Sequence, residues 1–203
     1  MSTFVYQFRV DLIDTLPEIW RCIQVPENYS FWDLHIAIQD AMGWLDYHLH
    51  EFSVADDASK EYRRIGMPDK EFADANILLG WETPIKTYIN SIGKTASYTY
   101  DFGDGWEHLI TLEAILPSDT TIKYPVCVAG ERACPPEDCG GIPGFEDLLE
   151  TLKNGKAAEK KELNSWLKQH AKNYHPFLSE IFDPQAVIFN DPELRWAKAF
   201  NPC

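Results

Sequence analysis

Two alternating runs joined by Gly103-Asp104-Gly105 constrain this chain more than any other stretch. From Ala96 to Phe102 the aromatic residues Tyr98, Tyr100 and Phe102 fall on one face. From Trp106 to Leu116 the side chains Trp106, His108, Ile110 and Leu112 share a face, and Glu107, Leu109, Thr111 and Glu113 take the other. A repeat of two residues belongs to strands. Two glycines around an aspartate supply the positive-φ positions of a tight reversal. The pair is therefore an antiparallel hairpin with one aromatic face, and that face needs a second layer to cover it.

Other segments supply that layer. Phe4, Tyr6, Phe8, Val10 and Leu12 alternate with Val5, Gln7, Arg9 and Asp11, which predicts a half-buried strand. Asp14 to Glu18 is a turn, and Ile19 to Val25 returns as a second strand that Pro26 ends, having no N–H for a ladder. Ser30 then opens a helix with Asp33 at the capping-box position. Leu34, Ala37, Ile38, Ala41 and Met42 form its apolar stripe, and Gly43 suits a left-handed stop. His48 to Val54 predicts a third strand, and residues 55–80 a loop-rich excursion with at most short strands. A short helix is expected after Thr83-Pro84, with Ile85, Tyr88, Ile89 and Ile92 as its stripe and Gly93 as its end.

Beyond the hairpin, Phe145 to Leu152 and Ala157 to Ala171 have helical spacing, and the Pro-punctuated segment HPFLSEIFDPQAVIFNDPELRW is expected to wrap the domain as short helical turns. The predicted class is α+β: an antiparallel or mixed sheet with helices packed on it, a β-grasp-like β-β-α-β opening and a helical C-terminal part. One domain is expected over 1–203, with a sheet-rich core at 1–143 and a helical extension at 144–203.

Composition narrows the function classes. Hydrophobic residues make up 45% of the 203 and charged residues 25%, with seven Trp, nine Tyr and eleven Phe, which is enough to fill a core. The formal charge of −14 argues against nucleic acid, because phosphate binding depends on clustered Lys and Arg. The clusters present, Arg63–Arg64 and Lys160–Lys161, read as solvated faces. No apolar run approaches the roughly 20 residues that span a bilayer. MSTFVYQFRVDL lacks a basic leader followed by an apolar block, and five cysteines make an odd count, so a reducing cytoplasm is the expected location.

The chemistry-bearing side chains crowd into Tyr98–Gly144. Cys127, Cys134 and Cys139 occur in CVAGERACPPEDC, a Gly/Pro-rich setting of the kind in which thiolates bind zinc, and His108 is the candidate fourth donor. The spacing matches no CxxC knuckle, and the plainer alternative is reduced cysteines filling a tight loop. His48 and His50 would share one face of a strand and form a second candidate pair for a metal, or else a hydrogen-bonded pair at a sheet edge. Asp101, Asp104 and Glu137 are candidate general bases, with turn formation the competing role for Asp104 and helix capping or a bond to Arg132 for Glu137. Gly140 to Gly144 precedes a helix but lacks the Lys-Ser/Thr of a phosphate loop.

YTYDFGDGWEHLITLE followed by CVAGERACPPEDCGGIPGFEDLL resembles the signature of the plasmid pRiA4b ORF-3-like family. IWRCIQVPENYSFWDLHIAIQDAMGW, HLHEF and FDPQAVIFN extend the resemblance over nearly the whole chain. It differs from the family pattern at Cys22, where a second Arg is usual, and at Phe189-Asn190, where Phe-Asp is usual. The resemblance implies a prokaryotic, mobile-element-associated protein; some members carry a resolvase-like label, and no established activity comes with it. A serine resolvase needs a nucleophilic Ser amid arginines and a basic helix-turn-helix, and neither is identifiable here.

The expected role is thus a cytosolic binding or interaction module with a protein or small-molecule partner and a candidate zinc site. The alternatives are a metal-dependent hydrolase using a carboxylate base, and a transposition accessory protein that acts through protein partners.

Overall fold

The first strand, β1 (Phe4–Leu12), sits near the middle of the molecule because its inward side chains Tyr6, Phe8, Val10 and Leu12 are all buried. A computed structural model describes residues 3–68 and 76–200. In it β1 pairs antiparallel with β2 (Ile19–Pro26) on one side and with β7 (Trp106–Pro117) on the other. The remaining strands are β3 (His50–Asp56), β4 (Glu61–Gly66), β5 (Ile77–Leu79), β6 (Thr95–Tyr100) and β8 (Val126–Glu131). They form one eight-stranded sheet in the order β5-β4-β3-β6-β7-β1-β2-β8, parallel between β4 and β5 and antiparallel elsewhere.

The β-β-α-β opening is present, but the strand that follows the helix does not lie against β1. The β6–β7 hairpin inserts between them, so β3 joins the sheet through β6. The register pairs Tyr98 with His108 and Tyr100 with Trp106, which keeps the predicted aromatic face intact up to Tyr100. Phe102 departs from that expectation. Asp101 adopts a left-handed φ of 56°, the alternation stops there, and Phe102 turns outward to 57% exposure.

Helix α1 (Phe31–Met42) covers the sheet. Ser30 Oγ accepts from Asp33 N and an Asp33 carboxylate oxygen accepts from Ser30 N, a complete capping box, and Gly43 stops the helix with a φ of 84°. Of its twelve residues all but Asp33 and Asp40 are buried, so the helix must be covered on its outer side too. The C-terminal segment does this, with a 3-10 turn at Pro184–Ala186 and the last helix, labelled α4 below. Asn190 donates to both Asp40 oxygens at 2.6 and 2.7 Å. The helices α2 (Gly141–Asn154), α3 (Ala157–Gln169) and α4 (Pro192–Phe200) follow the sheet in sequence.

The short helix expected over Ile85–Gly93 reduces to one 3-10 turn, Ile85–Thr87. Ile85 and Ile89 are buried, but Ile92 is exposed, so a second turn would have nothing to pack against. Part of the excursion expected at 55–80 lies outside the described residues; the rest forms β4 and β5. The other sheet face is open to water, where Arg9 stacks on Trp20 at 4.2 Å and Gln7 donates to Glu113.

Candidate metal centre at the hairpin rim

The predicted set of His108 and three cysteines does not converge. Among the described residues, the groups of three or more His, Cys, Asp or Glu with ligand atoms within 4.8 Å of one another are two others: His35–Asp46–His50 and His48–Asp101–Asp138. His108 lies on β7 and Cys127 on β8, three strands apart in the sheet, roughly 14 Å at the usual strand spacing. Cys127 belongs to an edge strand and not to the loop assigned to it, and its thiol donates to Ala129 O at 3.4 Å.

His108 is enclosed beside Tyr98 and Trp44. Its Nδ1–H donates to Tyr98 O at 3.2 Å, and burial lowers its pKa to about 4, so the ring is neutral. Cys22, Cys127, Cys134 and Cys139 are free thiols. Burial raises Cys134 and Cys139 to about 12, and the neighbouring Arg21 and Lys172 only partly oppose this at Cys134. In this arrangement they are packing residues with inert thiols.

Glu137 is a clamp. One of its oxygens accepts from Leu45 N at 2.7 Å and the other from the Tyr100 hydroxyl, while Trp44 Nε1 donates to Pro135 O at 2.9 Å. Burial and the Glu137 charge both raise the Tyr100 pKa, so this hydroxyl keeps its proton. Arg132, expected as a partner of Glu137, pairs with Glu180 at 2.8 Å. Asp104 ties two loops together: its Oδ2 accepts from Gly140 N at 3.1 Å. The two backbones meet so closely that a Cβ on Gly141, at φ 67°, would lie 2.5 Å from Asp104 O.

That contact draws Asp101 and Asp138 towards His48. Both aspartates occupy left-handed positions, at φ 56° and 57°. Asp101 Oδ1 accepts from Gly103 N and Asp104 N, which leaves Oδ2 facing His48 Nε2 at 3.5 Å. Asp138 Oδ1 lies 3.0 Å from the same nitrogen. Behind Asp138 stands His170. Its Nδ1 accepts from Lys172 N at 3.3 Å, so its proton is on Nε2, which is 3.8 Å from Asp138 Oδ2. The His48 side chain is 31% exposed and that of Asp138 53%, so the rim is open to solvent.

His48 and His50, expected to share a face, part company. The strand begins at His50, two residues later than predicted, so His48 belongs to the preceding loop. His50 enters the other cluster, its ring stacked on His35 with centroids 3.4 Å apart and planes within 9°. There Gln39 Nε2 donates to Tyr98 Oη, Tyr98 O–H donates to His35 Nδ1 at 2.8 Å, and His35 Nε2–H donates to Asp46 Oδ1 at 2.8 Å. Arg195 completes the chain on Asp46 Oδ2. Burial pushes the Asp46 carboxyl up, but the bonds from His35 and Arg195 outweigh it and hold the pKa below its ordinary value. Burial lowers His50 well below 6.5.

Asp138 and His170 were not expected as members of a site. Asp138 precedes Cys-Gly-Gly at a position that asks for a left-handed residue, a role Asp fills readily, and that was its available signal. His170, at the end of α3, carried none.

Residues 4–188 match the family described as plasmid pRiA4b ORF-3-like protein. The chain belongs to this family. It is 32% identical over 166 residues to the uncharacterized protein y4hQ of Sinorhizobium fredii, a match covering 82% of each chain. A solved protein of unknown function, MM3350 from Methanosarcina mazei Go1, is 38% identical, with a TM-score of 0.82 over 93% of this chain and all of that one. The family is one of plasmid-type proteins without an established function. No helix among the described residues is long and apolar enough to cross a membrane.

Proposed function

We propose that this protein is a divalent-metal-binding module whose ion is held by His48, Asp101 and Asp138, with His170 orienting Asp138. One observation carries the reading. Donors about 2 Å from a tetrahedral ion lie about 3.3 Å from one another, and His48 Nε2 lies 3.5 Å from Asp101 Oδ2 and 3.0 Å from Asp138 Oδ1. A nitrogen with two carboxylate oxygens suits Zn²⁺ or Mn²⁺. The buried cluster is a poorer host, because both His35 nitrogens and both Asp46 oxygens are already bonded inside the protein.

Calorimetric titration of the metal-stripped protein with Zn²⁺ and Co²⁺ tests this. One ion per chain is expected, with affinity at least tenfold weaker in His48→Ala and in Asp101→Asn, which retains the Oδ1 that accepts from the turn. Cobalt absorption without a thiolate charge-transfer band is expected as well. A thiolate band would move the metal to the cysteines, and unchanged binding with His48→Ala and Asp101→Asn combined would overturn the assignment.

Metal-assisted hydrolysis is a second reading, supported by the open side of the rim. Three protein donors leave a position for a water whose pKa the ion would lower. Turnover of a model phosphate ester that appears with the metal and disappears in His48→Ala is the outcome this reading requires.

A further inference from the structure

A cavity of about 640 Å³ lies where the end of α1 meets the C-terminal segment. Pockets that hold small ligands run from about 300 to 1,000 Å³. The apolar part of its wall is unevenly covered. Trp44 is buried and Phe177 half-buried, whereas Leu178, Ile181 and Ile188 are 53, 61 and 81% exposed. One exposed aliphatic side chain is ordinary on a protein surface, but three on one cavity form a patch that a ligand would cover.

The polar groups on the same wall have donors left over. Arg21 makes four bonds to carbonyls, two of them through Nη1, so one of its five N–H groups remains. Lys172 Nζ donates to Gly43 O and forms no ion pair among the described residues, so two of its N–H groups remain. The Tyr174 hydroxyl accepts from Glu137 N at 3.4 Å, and its own O–H meets no acceptor among the described residues. The acids nearby are committed. Asp40 accepts from Asn190 with both oxygens, Asp183 caps the 3-10 turn through Gln185 N, and Glu137 serves Leu45 N and Tyr100.

The end of α1 accounts for part of this. Arg21 holds Ala41 O and Lys172 holds Gly43 O, and a helix C-terminus carries about half a negative charge. Two full cations exceed it. Burial lowers the Lys172 pKa from its ordinary value, although neighbouring acids oppose this, so its charge is held at a cost that an added anion would offset.

We propose that this cavity binds a small carboxylic acid with an aliphatic tail, its carboxylate at Lys172 and Tyr174 and its tail against Leu178, Ile181 and Ile188. A neutral apolar molecule would gain the second contact alone. An organic cation would be repelled at the first.

Calorimetric titration of the metal-stripped whole protein with octanoate, octan-1-ol and octylammonium tests this, with no ion at the rim to capture the carboxylate. One octanoate per chain is expected, at least about tenfold tighter than the alcohol or the amine. Equal binding of octanoate and octan-1-ol, tighter binding of octylammonium, or no saturation by octanoate at millimolar concentrations would overturn the proposal. Lys172→Gln, which keeps an N–H for Gly43 O, should weaken octanoate about fivefold, the worth of an exposed ion pair, and leave octan-1-ol unchanged. Ile188→Ser should weaken both ligands alike without moving the melting temperature, because its side chain makes little of the core. An octanoate affinity unchanged in either variant would also overturn the assignment. His48→Ala, at the rim, should not alter octanoate binding.

Discussion

The two histidine–carboxylate clusters use the same side chains to different ends. In the inner one, His35 of α1 stacks on His50 of β3, and each polar contact of His35 and Asp46 is made within the protein. In the outer one, Asp101 commits one oxygen to its turn, and Asp101 and Asp138, both at left-handed backbone positions, each present an oxygen to His48 at the solvent boundary. Burial is the difference. A buried ion pair that loses a partner leaves an uncompensated charge, whereas a set with His48 and Asp138 open to water and only Asp101 buried can exchange a proton or water for an ion at lower cost. One cluster therefore holds the fold, and the other is suited to exchange ligands.

The largest test of that contrast is His35→Ala. It removes a stacked ring and two hydrogen bonds from the interior, and unfolding in urea should show a loss of about 3–5 kcal/mol, with metal binding at the rim retained by the folded fraction. A loss below about 1 kcal/mol would mean that the inner cluster is not structural.

The next effect comes from acid. His108 is buried like the inner histidines, and its folded pKa of about 4 lies below the ordinary 6.5. The unfolded chain therefore binds this proton first. Its contribution is fully present above pH 6.5 and is lost as pH falls towards 4, by about 3 kcal/mol in all. Urea midpoints measured from pH 7 to pH 4 should fall less steeply in His108→Gln, which has no proton to take up. Equal slopes would show that the ring is charged or exposed.

Gly141→Ala sharpens the comparison from the other side. A left-handed φ and a Cβ 2.5 Å from Asp104 O should cost about 1–2 kcal/mol and push Asp138 away from Asp101. Metal affinity should fall along with stability. A variant that loses stability but keeps its metal would detach the rim geometry from the loop contact. The smallest effect is expected for His48→Ala in metal-free protein, below about 1 kcal/mol. The rise in melting temperature on adding Zn²⁺ should vanish in the same variant.

The parts of this fold that were legible in the sequence are those decided locally. Ser30 and Gly43 bound α1 because a hydroxyl cap and a left-handed stop act within one helical turn. Tyr98, Tyr100, Trp106 and His108 face inward because a strand alternates whatever its neighbours are. The rim was less legible. His48 and Asp138 are 90 residues apart and meet because the hairpin tip docks on Gly140 and Gly141. No local preference encodes that docking. The cysteines misled for a related reason: closeness in sequence suggested closeness in space, while β8 took Cys127 to the edge of the sheet and burial took Cys134 inside.

Arg21 gives the edge of the sheet a property of its own. Its guanidinium is buried and, among the described residues, pairs with no carboxylate. It donates to the carbonyls of Trp20, Ala41, Glu131 and Arg132 and lies 3.6 Å beneath the Phe182 ring. Those carbonyls belong to the second strand, the end of α1 and the exit of β8, the outermost strand on that side. An outermost strand held only by its ladder invites a neighbouring molecule to extend the sheet. Here one cation rivets the end of that strand to the helix. The end of the outermost strand is thus tied to the interior by bonds that do not belong to its ladder.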